Sequence, residues 1–133
     1  MQVELDEIKR MLNTFLEAPG PFITIKDLGF VNEEDEEKLD KAIGHFLLIV
    51  ENGLISSMDL TTGDAKAVGL YLRPRNFDYV STPIRLTQSG HDFINMLNQK
   101  PVFERLKEEA KEAPFSLLQK VGAALTEKLG LGN

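Results

Sequence analysis

The stretch Ala42-Ile-Gly-His-Phe-Leu-Leu-Ile-Val-Glu-Asn-Gly-Leu-Ile55 decides the fold. Its apolar residues Ala42, Ile43, Phe46, Leu47 and Val50 recur at helical spacing, and Leu48 and Ile49 widen that face until most of the helix is buried. Gly53 fits the left-handed position that ends a helix, and Leu54 can close over it. Ile55 then opens a strand that reads through to Leu60. A second stretch answers the first. Ile84-Arg85-Leu86 reads as a strand, Thr87 as the N-cap of a new helix, and Phe93, Ile94 and Leu97 as its inner face. Helix, strand, loop, strand, helix is the order of a winged-helix-like domain.

Working outward, the spacing of Leu5, Ile8, Leu12 and Phe15 predicts a first helix over Val3–Leu16, with Met11 and Leu16 widening its stripe. Ala18-Pro19-Gly20-Pro21 ends it, because proline has no donor and a fixed φ. Phe22–Ile25 reads as a short strand and Lys26–Phe30 as an abbreviated helical turn. The central helix is expected over Glu33–Glu51. Val68–Leu72 reads as a further strand, and Arg73–Pro83 as an irregular wing tip. Helices restart at Pro101 and Pro114 and run to Glu112 and Leu129. The expected fold class is therefore α+β, with a winged-helix-like domain over residues 1–100. Residues 101–133 form a C-terminal helical extension, either packed on that domain or pairing with its twin in a homodimer.

Composition narrows the function classes. With 133 residues the chain suits one domain that buries about two-thirds of its unfolded surface. It has no cysteine, so disulfides, thiolate metal sites and a cysteine nucleophile are excluded. That absence fits a reducing, cytoplasmic setting. Met1–Arg10 alternates acidic and apolar residues and is not expected to act as a signal peptide. The longest apolar run, Phe46–Val50, is far shorter than the ~20 residues of a membrane span. The net charge is −6, and the first 55 residues carry it, with 12 acids against 5 bases. That half favours basic partners and repels phosphates.

No catalytic, cofactor or metal-binding residues are expected. His45 and His91 are the only histidines. His45 is read as a packed side chain hydrogen-bonded to backbone, and the two rings lie on elements that should pack together. Asp59–Asp64 begins like a calcium loop, but its alternate positions are not all oxygen donors. The serines lack a nucleophile-elbow context, and no glycine pattern cradles a phosphate.

Two surfaces remain. The block Glu33, Glu34, Asp35, Glu36 and Glu37 is the candidate site for a protein partner. It also stands where a winged helix would enter the major groove, where its charge opposes DNA binding. The alternative is a DNA-binding regulator working through a basic wing of Lys66, Arg73, Arg75, Tyr79 and Arg85, with Phe77 interleaved. A continuous basic surface would favour DNA, whereas an acidic or apolar exposed patch would favour a protein.

The phrases His45–Ile55, Ile84–Leu97 and Phe103–Leu131 together resemble domain-of-unknown-function family 2513, a set of bacterial and prophage proteins. His45, Gly53-Leu54-Ile55, Leu86-Thr87 and Gly90-His91 carry the likeness, which is weakest between Ser56 and Pro83. The resemblance implies a winged-helix-like fold and the company of phage or other mobile elements, in a host-defence setting among others. It implies no catalytic residues.

Overall fold

The computed structural model describes residues 1–130. The described chain is mixed α+β, with five α-helices and two separate two-stranded sheets. The order is α1 (Leu5–Glu17), a 3-10 turn (Ile25–Leu28), α2 (Glu36–Glu51), β1 (Ile55–Ser57), a second 3-10 turn (Lys66–Val68) and β2 (Leu70–Arg73). It continues with β3 (Asn76–Tyr79), β4 (Ile84–Leu86), α3 (Gln88–Leu97), α4 (Lys100–Glu109) and α5 (Phe115–Lys128). The last three residues of the expected extension lie outside the described residues.

One hydrophobic core joins every layer. Leu5, Ile8, Met11, Leu12 and Phe15 of α1 are buried, whereas Leu16 faces outward and is no part of the stripe. Phe46 and Phe93 are fully buried in the same cluster as Val102, Phe103, Leu106, Phe115 and Leu118 of α4 and α5. Truncating Phe46 to alanine would cost about 3–5 kcal/mol, the transfer energy plus a cavity. The apolar stripe of α5 thus lies against α3 and α4 of its own chain.

The two deciding stretches meet at a single joint. Gly53 is left-handed at φ 67, and the Leu54 amide donates to the Ile49 carbonyl, which closes the end of α2. The Thr87 hydroxyl accepts from the Gly90 amide at 3.0 Å, the expected N-cap of α3. It donates in turn to the Gly53 carbonyl at 2.6 Å. The Thr87 amide donates to Leu54. A Cβ on Gly90 would collide with the Leu54 carbonyl oxygen, so only glycine lets the backbones approach this closely. β1 and β4 then pair antiparallel, with Ile55 opposite Leu86.

Several expectations are corrected. Phe22–Ile25 forms no strand: only Ile23 bridges to Ile84, through bonds of 3.0 and 2.8 Å. The reason is local. Asp27 takes the Thr24 amide at 2.8 Å in a capping box, so the chain enters a 3-10 turn instead of extending the ladder. α2 starts at Glu36 rather than Glu33, because Asp35 is its N-cap and accepts from the Lys38 amide at 3.0 Å. β1 stops at Ser57, where the Ser57 amide turns to the Thr61 carbonyl. The segment expected to be irregular over Arg73–Pro83 is so only at residues 80–83. β2 and β3 form a hairpin, with Leu70 opposite Tyr79 and Arg73 opposite Asn76.

Candidate interaction surface

The acidic block is built at the entry to α2. The Glu33 amide bonds to the Phe30 carbonyl, and the Glu33 carboxylate accepts from the Asp35 amide at 3.2 Å. Asp35 caps the helix, and Glu36 and Glu37 occupy its first turn, where the helix dipole favours acids. Glu34 through Glu37 are exposed and Glu33 is half-buried. None of the five forms a salt bridge among the described residues. Their charge therefore faces solvent uncompensated at short range.

The hairpin is the second surface. Pro74 fixes φ at its turn, and Arg75 adopts a left-handed φ of 64, a conformation that glycine or asparagine usually supplies. Leu70, Leu72, Phe77 and Tyr79 share one face by register. Leu70 is buried, and Phe77 packs inward on Phe30 with ring centroids 6.5 Å apart. Phe30 in turn packs on Phe46 of α2 at 5.6 Å. These three rings anchor the hairpin to the core. Phe77 is thus an anchor and not an exposed wing residue. Beside the exposed Arg73, Arg75, Asn76 and Asp78, four exposed residues are apolar or aromatic: Tyr71 is 39%, Leu72 48%, Tyr79 37% and Val80 50% exposed.

The expected basic residues are dispersed. Arg73 and Arg75 lie at the hairpin tip, and Arg73 pairs with Asp78 at 2.6 Å. Tyr79 lies at the opposite end, beside Leu70. Lys66 sits in the 3-10 turn before β2, where its amide donates to Asp64. Arg85 is half-buried on β4, in the other sheet, opposite Ser56. Arg75 is the tip's uncompensated cation among the described residues.

The histidines do not meet. His45 is fully buried; its Nε2 accepts from the Glu4 amide at 2.9 Å, and its Nδ1 lies 2.7 Å from the Lys41 carbonyl. An amide can only donate, so Nδ1 carries the ring proton and donates to Lys41. This is the backbone-bonded histidine that the sequence predicts. His91 is exposed on α3. No group of three histidine, cysteine, aspartate or glutamate side chains converges to hold a metal among the described residues. Ser57 does meet an acid: its hydroxyl bonds to Asp59, which also accepts from Thr61 at 3.1 Å. These bonds, Ser57 first, hold the Asp59 carboxyl below its ordinary range. They define a tight turn after β1, with Leu60 left-handed at φ 69. No described helix is long and apolar enough to cross a membrane.

The hairpin is the feature that sequence reading missed. Alternation of Leu70 with Leu72 and of Phe77 with Tyr79 is present in the sequence, but Pro74-Arg75 lacks the Asn-Gly or Asp-Gly signal that marks a two-residue turn. Compared with protein-family models, curated proteins and solved structures, the chain matches none.

Proposed function

We propose that this protein is a non-catalytic protein-interaction module acting in the cytoplasm, built on a winged-helix-like domain. The order of α1, the first 3-10 turn, α2 and the β1–β4 pair, with Ile23 at its edge, supports that domain type. The β2–β3 hairpin then stands in the place of a wing.

The observation that carries the partner reading is the exposure of Tyr71, Leu72, Tyr79 and Val80 on one small hairpin. Aromatic side chains and arginine are enriched in protein interfaces and supply most of their hot spots. Arg75, at the tip of the same hairpin, adds the residue type that such surfaces favour. The uncompensated acids Glu33–Glu37 give the partner its sign, a basic surface steered in by long-range attraction. The same acids oppose a duplex that carries one phosphate charge per ~1.7 Å. The family resemblance adds a phage, mobile-element or host-defence setting. Exposed Leu117 and Leu129 support a second contact, a homodimer through α5.

The second reading is a DNA-binding regulator that works through its wing, favoured by the uncompensated Arg75 at the tip. One experiment separates the two. A photocrosslinking residue is placed at Tyr71 or Tyr79, with Glu104 on α4 as control, and duplex binding is followed by anisotropy at physiological salt. One discrete protein captured from the hairpin positions alone, with weak and salt-sensitive DNA binding, supports the module. Submicromolar sequence-specific duplex binding that Arg75→Ala abolishes overturns it in favour of the regulator.

A further inference from the structure

The end of α2 carries a reactive pair. Of the chain's asparagines, Asn52 alone precedes a glycine. In such a pair the glycine nitrogen, unhindered by a Cβ on its own residue, can attack the asparagine side-chain amide. The Gly53 nitrogen bonds to Asn52 Cγ, and the bond from Cγ to Nδ2 breaks. The proton of the Gly53 amide ends on the departing Nδ2, which leaves as ammonia. Water then opens the five-membered succinimide at either carbonyl. One product is aspartate. The other is isoaspartate, whose main chain runs through Cβ.

The fold holds this pair shut. Asn52 stands at φ −89 and ψ 9. At that ψ the Gly53 nitrogen lies beside the Asn52 backbone nitrogen, turned away from Cβ. Ring closure needs it rotated to the side of Cβ. The joint between α2 and β1 resists that rotation. The Gly53 amide donates to the Val50 carbonyl and the Leu54 amide to the Ile49 carbonyl, both at 3.1 Å. Asn52 Nδ2, the nitrogen that must leave, donates to the Leu48 carbonyl at 2.8 Å. From α3, the Thr87 hydroxyl holds the Gly53 carbonyl and the Thr87 amide holds the Leu54 carbonyl.

We propose that Asn52-Gly53 is a deamidation site guarded by this joint: it reacts only when the joint opens, and the product closes it less stably. An aspartate at position 52 replaces the donor to the Leu48 carbonyl with a carboxylate. Its charge then stands at the helix end where the dipole disfavours anions. Isoaspartate adds a main-chain carbon before Gly53 and displaces the two carbonyls that Thr87 holds. A transient opening is thereby recorded as a permanent covalent change. Water is the sole co-reactant, and the site is separate from the hairpin and the acidic block.

The test incubates the full chain at mildly alkaline pH, once folded and once in guanidinium chloride. Peptide mass spectrometry and isoaspartate methyltransferase labelling follow position 52. The folded chain should react about a hundredfold or more slowly than the denatured one, since the open joint is sparsely populated. Thr87→Ala loosens the joint and should speed the folded-state reaction about tenfold. Asp35→Ala removes the cap at the far end of α2 and should leave the rate near that of the parent. Asn52→Asp, which copies one product, should unfold at a lower urea concentration than the parent. Folded and denatured rates within about twofold of each other overturn the guarded site. So does equal acceleration by Thr87→Ala and Asp35→Ala, which would assign the reaction to global unfolding. An Asn52→Asp chain as stable as the parent overturns the weakened closure.

Discussion

The hydroxyl of Thr87 donates to the carbonyl of Gly53 across 2.6 Å, 34 residues away in the chain. It accepts at the same time from the Gly90 amide. One side chain therefore caps the start of α3 and satisfies a carbonyl at the end of α2. This joint ties the end of α2 to the start of α3.

Gly90→Ala should disrupt the joint directly. The new methyl would strike the Leu54 carbonyl, a backbone atom that cannot step aside. We expect a loss of about 2–3 kcal/mol, at the upper end for overpacking. Thr87→Ala removes the cap and should cost about 1–2 kcal/mol. Urea unfolding of the two variants checks the order. A Gly90→Ala protein as stable as the parent would contradict the close approach.

His45→Leu should free the N-terminus of α1. The substitution keeps apolar bulk but leaves the Glu4 amide and the Lys41 carbonyl without their ring partner. A loss of about 1–3 kcal/mol is expected for the stranded groups. Amide exchange should quicken from Glu4 to Ile8 before it quickens in α3. Uniform exchange across the chain would argue against a local tie. The exposed Lys41–Glu4 ion pair spans the same junction and raises the Lys41 pKa, chiefly through its hydrogen bond to Glu4. That contribution is present below the ordinary lysine value and is lost as pH rises through the higher folded one.

The acidic block divides into one structural residue and a set of surface charges. Changing Glu34, Glu36 and Glu37 to Gln should alter stability by no more than about 0.5 kcal/mol, as at other surface sites. Asp35→Ala should cost about 1 kcal/mol, because it removes the cap of α2. Thermal unfolding distinguishes them. The triple variant should also associate more slowly with a basic partner and show a flatter salt dependence. An unchanged rate and salt slope would move the interaction surface elsewhere.

The turn after β1 carries a pH signature. Asp59 titrates below its ordinary value because Ser57 and Thr61 bond to its charged form. A depressed folded pKa stabilises the fold above the ordinary carboxyl value, near ~3.9. That contribution is lost as pH falls through the lower folded value. Ser57→Ala should move the Asp59 titration back upward, as read from its Cγ resonance. No movement would mean that the Ser57 bond is not made in solution.

Periodicity and end signals were enough for the helices. The spacing of Leu5, Ile8, Leu12 and Phe15 marks α1, and Gly53 and Thr87 mark where α2 stops and α3 begins, because each acts through backbone atoms a few residues away. The acidic block was legible for the same reason, as five neighbours in sequence need no fold to gather them. Everything that depended on distant partners waited for the tertiary structure. Phe77 became an anchor only because Phe30 and Phe46 lie beneath it, and Phe22–Ile25 lost its strand to Asp27. Arg73 and Arg75 of the expected wing came to the tip of a hairpin whose turn lacks the Asn-Gly or Asp-Gly signal, and Arg85 to the other sheet. Local chemistry decides where a segment bends; which side chains then share a surface depends on how the segments pack.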